Sequence, residues 1–399
     1  MRYRFCILFP DNGNAETKRT FLFKQFKINI LMTNEELQSQ TISFLRFPLI
    51  IGVVLIHSHF DEIVINGVDL MESDNFSIYT TISYLFSSIF SAIAVPLFFF
   101  ISGFLFFYKT YSFPRQTYSQ KLKKRARTIL APYIFWNLLV IAFFFLSQSF
   151  LPELMSGKNK LIADYSISDW CWAFWNTNMI NPLAAHTGAY PICYQFWFIR
   201  DLMIVMLLSP LIHFLLAKLR QYAILCLGTI WLFGWWFNIT GFSITAVFFF
   251  SAGAYFSIHN RNFVRTMQPL FPVSILLYVL IAVAELCFMN RTWYGYLHGI
   301  GILIGIVVAI TLTAHFVEKG KWQVRIFLSS SSFFIYAYHG MPLSFVIKFL
   351  FKFVKPHSDG TILALYVLCP AITILIGLFV YKCLKKYLPK ATALITGGR

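Results

Sequence analysis

Arg46 and His57 are eleven positions apart in the stretch FLRFPLIIGVVLIHSHF, residues 44–60, whose other members are mostly apolar. A neutral imidazole can take a proton from a hydroxyl, and a guanidinium can hold an anion such as a phosphate. On a helix, eleven positions correspond to a rise of about 16 Å and a rotational difference of only about 20°. The two side chains therefore share one face but cannot hydrogen-bond directly, so any joint role is that of two stations along one path. Each alone also suits a plain anchor, an arginine at one membrane interface and a histidine at the other.

Two other stretches carry ionisable groups inside apolar runs. YQFWFIRDLMIVMLLSP holds Arg200 and Asp201, and SSSSFFIYAYHGMPL holds His339. Such groups are expensive in a bilayer, and several at one depth point to an internal polar cavity. Asp201 could equally serve only to neutralise Arg200, and His339 could be a packing histidine. In KLKKRARTILAPY, the cations Lys124, Arg125 and Arg127 mark the cytoplasmic start of a span and would also suit an anionic phosphate donor. Ser102 lacks a neighbouring base, and its Ser-Gly pair reads as a site of close helix packing. The seven cysteines show no metal-ligand spacing, so no metal is expected. Cys171 and Cys193 share a loop in which a disulfide could form.

The elements that position these residues follow from composition. Of 399 residues, 58% are hydrophobic and 12% charged, which excludes an ordinary soluble domain. Long apolar runs without strand alternation imply an all-α, polytopic integral membrane protein. The runs fall at 43–60, 82–108, 129–150, 195–216, 222–238, 243–258, 270–289, 294–315, 327–347 and 361–383, giving about ten transmembrane helices. The net charge of +17 comes in short clusters between runs, a topology signal with no nucleic-acid partner implied. Lys109 to Arg127 carries seven cations and no acid, which puts that loop and, by counting, both termini in the cytoplasm of a bacterial cell with the chain in its cell membrane. Lys348, Lys352 and Lys355 dissent, falling on the outer side.

Residues 1–41 read as a disordered cytosolic segment, and Met32 as a more natural start than Met1, making 1–31 a candidate overlong gene prediction. Residues 42–388 form the membrane domain and 389–399 a short cytosolic tail. The long outer connection from Leu151 to Tyr194 holds Trp170, Trp172, Trp175 and Tyr190. Those rings suit the faces of sugars, and equally an aromatic belt at the interface.

Taken in order, these stretches resemble the acyltransferase-3 family of integral membrane acyltransferases. The first span matches the family's arginine or lysine, ten residues, histidine motif with Arg46 and His57. VPLFFFISGFLFF, KKRARTILAPY, FWFIRDLMIVMLLSPLI and SSFFIYAYH are similar to its later signatures, and the resemblance runs from about Ile42 to Leu388. Many relatives carry a glutamate where this chain has IRDLM. The resemblance implies transfer of an acyl group, usually acetyl from cytoplasmic acetyl-CoA, to a hydroxyl of a cell-envelope glycan or glycolipid. It implies His57 as base or transient acyl acceptor, Arg46 as the donor's orienting group, and His339 with Arg200 and Asp201 on the acceptor side. Envelope-glycan synthesis proteins would be partners. Two other readings stay open on the residues: a transporter or flippase for a lipid-linked glycan, and a structural subunit of an envelope-synthesis complex.

Overall fold

The computed structural model describes residues 32–60, 64–65, 68–69, 76–110, 112–150, 159–182, 188–288 and 291–398. Of residues 1–41, read as a disordered segment, 1–31 lie outside the described residues, while 34–41 are not disordered but form the first turns of a capped helix. Each of the ten apolar runs is mainly helical over its described residues. Six helices are long and apolar enough to cross a membrane: α1 (Asn34–Ile56), α2 (Ser77–Phe107), α3 (Arg115–Phe150), α9 (Phe263–Phe288), α10 (Tyr294–Glu318) and α13 (Asp359–Tyr387). Two further runs are split by bends. Helices α5 (Trp197–Leu207) and α6 (Ser209–Leu219) form one pair with a 63° bend, and α11 (Ile326–Tyr338) and α12 (Gly340–Val354) another with a 72° bend, so up to eight spans pass on length and composition. Helices α7 (Gln221–Phe233) and α8 (Ile244–Ile258) are apolar but short. A short helix α4 (Ile167–Ala173) stands in the long connection, and β1 (Val64–Ile65) pairs antiparallel with β2 (Val68–Asp69).

Helix α1 begins at a side-chain cap, where Thr33 Oγ1 accepts the Glu36 N–H. It packs against α2, α10, α11 and α13, so both ends of its Arg46–His57 face look into protein. The closest helix contact lies between α2 and α8. A Cβ on Gly103 would stand 1.9 Å from the Phe250 carbonyl oxygen, and one on Gly253 1.8 Å from that of Phe100. Only glycine permits this approach, which is the close packing expected beside Ser102.

Helices α2 and α3 each contain one wide π turn, at Tyr84–Phe90 and Ala126–Leu130. Inserting a residue into the turn shifts the helix face that follows it. The chain's last described segment is also ordered: α14 (Pro389–Ile395) packs on α3, and Trp136 Nε1 donates to the Ile395 carbonyl at 3.0 Å.

Candidate functional site

Helix α1 ends at Ile56, and His57 is its first residue beyond, with its backbone N–H still bonded to the Val54 carbonyl at 3.2 Å. The imidazole thus stands at a helix terminus, free of the helix flank. Its ring lies 5.1 Å from that of Tyr194, edge on, and 5.4 Å from that of His339. The sequence places these two histidines 282 positions apart, and the packing of α11 on α1 brings them together.

His339 occupies the corner between α11 and α12 and is fully buried. At this corner the ring turns back onto carbonyls of the last turn of α11. Its Nδ1 lies 2.7 Å from the Tyr336 carbonyl and 3.3 Å from that of Ile335, an arrangement that requires Nδ1 to be the protonated nitrogen. Nε2 then carries a lone pair, and it has no protein hydrogen-bond partner among the described residues. A buried, oriented, unpartnered acceptor is what a general base needs.

The corner is held by Gln195. Its Nε2 donates to the Ala337 carbonyl at 2.9 Å, and Tyr336 donates its hydroxyl to the Gln195 carbonyl at 2.5 Å. A Cβ on residue 340 would meet Gln195 Oε1 at 2.6 Å, so Gly340 lets this side chain lie against the bend.

Arg46 sits lower on α1 and lines a cavity of about 170 Å³ between α1, α2, α3, α5 and α11. Arg125, at the entrance to the π turn of α3, lines it as well, together with Ser102, Ser329, Ser332 and Tyr336. Neither guanidinium has an acidic partner among the described residues, although Arg125 also lies over the Phe106 ring at 5.9 Å. Two unneutralised guanidiniums beside hydroxyls suit a phosphate-bearing ligand. Tyr336 joins the two places, since it lines this cavity and its ring lies 6.2 Å from that of His339.

The remaining expected residues lie elsewhere. Lys124 lines a separate, shallow hollow with Lys109 and Lys121, and Arg127 is exposed. Arg200 and Asp201 form a buried pair in which Nη2 and Nε donate to Asp201 Oδ1 at 3.0 and 3.1 Å. The other terminal nitrogen of Arg200 donates to the carbonyls of Trp175 at 2.6 Å and Ala189 at 2.9 Å, and the guanidinium lies over the Trp175 ring. Asp201 also accepts from Ser243. The pair fastens the connection between α3 and α5 to α5, and no contact of either member with the two histidines is present among the described residues. Cys171 is exposed, Cys193 is buried, and the two are free thiols.

Trp172 and Trp175 are half-buried, Trp172 against the apolar cluster beneath the connection and Trp175 over Arg200. Tyr165, Tyr190 and Tyr194 instead line a cleft of about 230 Å³ with Gln148, Asn178 and Asn181. Its lysine, Lys160, is neutralised by Asp169 at 2.7 Å. The carboxylate of Asp169 also accepts from Ser166 N and Oγ, and the Lys160 ammonium together with these donors pulls its pKa down from the ordinary 3.8 to about 2.

Sequence reasoning missed a further polar cluster. Glu285, 1% exposed, lies 2.7 Å from His298 Nδ1 and accepts from Tyr294 at 3.0 Å, and Tyr294 accepts in turn from Tyr84. It ties α9 and α10 to the π turn of α2. Glu285 and His298 both fall inside apolar runs, and the cost of burying such groups was the signal available.

With this geometry in place, the comparisons with known proteins fix the class. A family model described as an acyltransferase domain, Acyl_transf_3, matches residues 40–381, and the chain belongs to that family. It is a multi-pass membrane acyltransferase. It is 25% identical over 386 residues to the Succinoglycan biosynthesis protein ExoH of Rhizobium meliloti (strain 1021), covering 90% of this chain and 92% of that protein. No solved structure matches the chain.

Proposed function

We propose that this protein moves an acyl group, acetyl in the simplest case, from cytoplasmic acyl-CoA to a hydroxyl of an extracytoplasmic or lipid-linked cell-surface polysaccharide. A single observation carries the reading: His339 Nε2, buried and unpartnered, beside His57 at the end of the helix that carries Arg46. Family membership supports acyl transfer, and a relative named for succinoglycan biosynthesis supports a polysaccharide acceptor. In this reading the ten apolar runs cross the bacterial cell membrane with both termini inside. The Arg46–Arg125 cavity then faces the donor side, and the amide- and tyrosine-lined cleft the acceptor side.

Arg46 and Arg125 hold donor phosphate or the polar part of its arm, and the thioester reaches past Tyr336 to the histidines. The acceptor hydroxyl gives its proton to a histidine nitrogen as its oxygen attacks the thioester carbonyl. The carbon–sulfur bond then breaks, and the coenzyme thiolate leaves and takes up that proton. Two adjacent imidazoles serve direct transfer, and they equally serve a route in which one ring carries the acyl group while the other moves protons. Arg200 and Asp201 position the outer connection. Lys124 and Arg127 attract the anionic donor from the cytoplasm.

The test is acyl-CoA turnover by purified protein, with labelled acyl appearing on polysaccharide in membranes. His57→Gln and His339→Gln should each lose about a hundredfold or more, the scale of a missing acid-base group. Wild-type protein that consumes no acyl-CoA would replace this reading with a transporter or flippase for a lipid-linked glycan.

A further inference from the structure

The largest cavity near the histidines has no part in the scheme above. It is a groove of about 740 Å³ between α3 and α12, a volume typical of ligand sites. Its walls are mainly apolar, with Val140, Phe143, Phe144, Met341 and Phe345 along its length, and Lys348 stands among the lining residues. One end reaches the histidines. Tyr194 is both a wall of the groove and the ring 5.1 Å from His57, and Gly340, also in the wall, follows His339 directly. Lys348 lies eight residues further along α12, about 12 Å by helical rise.

Lys348 begins a row. Lys352 follows one turn later and Lys355 just past the helix end, all three exposed and none with an acidic partner among the described residues. The nearest acid in sequence, Asp359, is engaged, its Oδ1 accepting the Tyr79 N–H at 2.8 Å. These are the cations that contradict the bias of positive charge toward the inner side. An apolar groove with one uncompensated ammonium, that of Lys348, among its lining residues is complementary to a hydrocarbon chain ending in a phosphate.

We propose that this groove holds the chain of a phosphate-bearing lipid to which the acceptor glycan is joined, with its phosphate at Lys348 and its glycan directed over Tyr194 toward the two histidines. This rests on the acyl-transfer reading of the histidine site. The acceptor's own carrier is preferred over a bulk phospholipid because Tyr194 and Gly340, in the wall of the groove away from Lys348, adjoin the two histidines. The lysine row thus answers to a ligand.

The experiment uses the full chain, purified in uncharged detergent, with farnesyl phosphate, farnesol and dioleoyl phosphatidylglycerol as probes and native mass spectrometry as the readout. Farnesyl phosphate should bind saturably and more tightly than farnesol. Lys348→Gln should weaken farnesyl phosphate by about tenfold or more, the scale of one charge-assisted hydrogen bond, and leave farnesol unchanged. Ser344→Trp, which fills the groove, should abolish both. Coenzyme A binding should be the same in all three proteins, so a wild type that binds no coenzyme A sinks the acyl-transfer reading while the lipid measurement still stands or falls separately. Equal binding of farnesyl phosphate by Lys348→Gln, or its displacement by equimolar phosphatidylglycerol, would overturn the proposal.

Discussion

Replacing His339 by leucine separates catalysis from packing, because the two roles predict opposite changes. The ring donates from Nδ1 to the Tyr336 carbonyl, a bond whose loss costs about 0.5–1.5 kcal/mol. Its Nε2 is buried without a partner, and removing it recovers a desolvation penalty of about 1–3 kcal/mol. With a side chain of similar size in its place, the two terms combine to between about 0.5 kcal/mol lost and about 2.5 kcal/mol gained, so folded stability should fall by no more than about 0.5 kcal/mol. Turnover should nevertheless fall by about a hundredfold or more, equivalent to about 2.7 kcal/mol on the barrier. The assays are thermal unfolding in detergent and acyl transfer in membranes, normalised to folded protein. Turnover within about tenfold of wild type would refute the base assignment. So would an activity loss that vanishes on normalisation, the pattern of a histidine retained for packing.

Arg46→Ala and Arg125→Ala should each weaken coenzyme A binding by about tenfold or more, while Lys124→Ala and Arg127→Ala should change it by less than about threefold. Equal effects at Arg125 and Arg127 would break the assignment of the shared cavity. Gly253→Ala drives a methyl into the Phe100 carbonyl and should lower stability by about 1–3 kcal/mol or more, visible as a reduced unfolding temperature; a neutral result contradicts the backbone contact. Asp169 has a depressed pKa, so its anchoring of the outer connection is fully present above pH 4 and is lost as pH falls through about 2. Pepsin cleavage within residues 159–182 should rise over that window in wild type, and Asp169→Asn should be cleaved with no such dependence.

Much of this architecture is written in local composition. Each of the ten apolar runs is mainly helical, two of them as bent pairs, because a helix satisfies its own backbone whatever surrounds it. Runs 195–216 and 327–347 were read as apolar but not as bent: the break at Leu208 has a local signal in Pro210, in the first turn of α6, whereas the corner at His339 rests on tertiary contacts such as Gln195 against Gly340. The Arg46–His57 face was legible because helical spacing fixes it. Arg125 was legible only as one cation in a cluster. Its selection over Lys124 and Arg127 comes from the π turn that follows it and from the helix packed opposite, neither of which leaves a local signature. Arg200 and Asp201 show the converse: buried charges left open both a place in the cavity and a mutually neutralising pair, and their donors and acceptors are taken up by each other and by the Trp175, Ala189 and Ser243 neighbourhood.

The glycine contacts between α2 and α8 also bear on how a substrate could enter. With backbone touching backbone at Gly103 and Gly253, those two helices move as one piece, since any separation loses close packing along both without a side chain to bridge the gap. The Ser257 hydroxyl on the Phe104 carbonyl, at 2.6 Å, adds another fastening to the same seam. By contrast, α12 leaves α11 at 72° and meets α3 across a groove of about 740 Å³, with no such backbone seam between them among the described residues. A disulfide bridging α3 to α12 should therefore lower turnover, whereas one joining α2 to α8 should leave it unchanged.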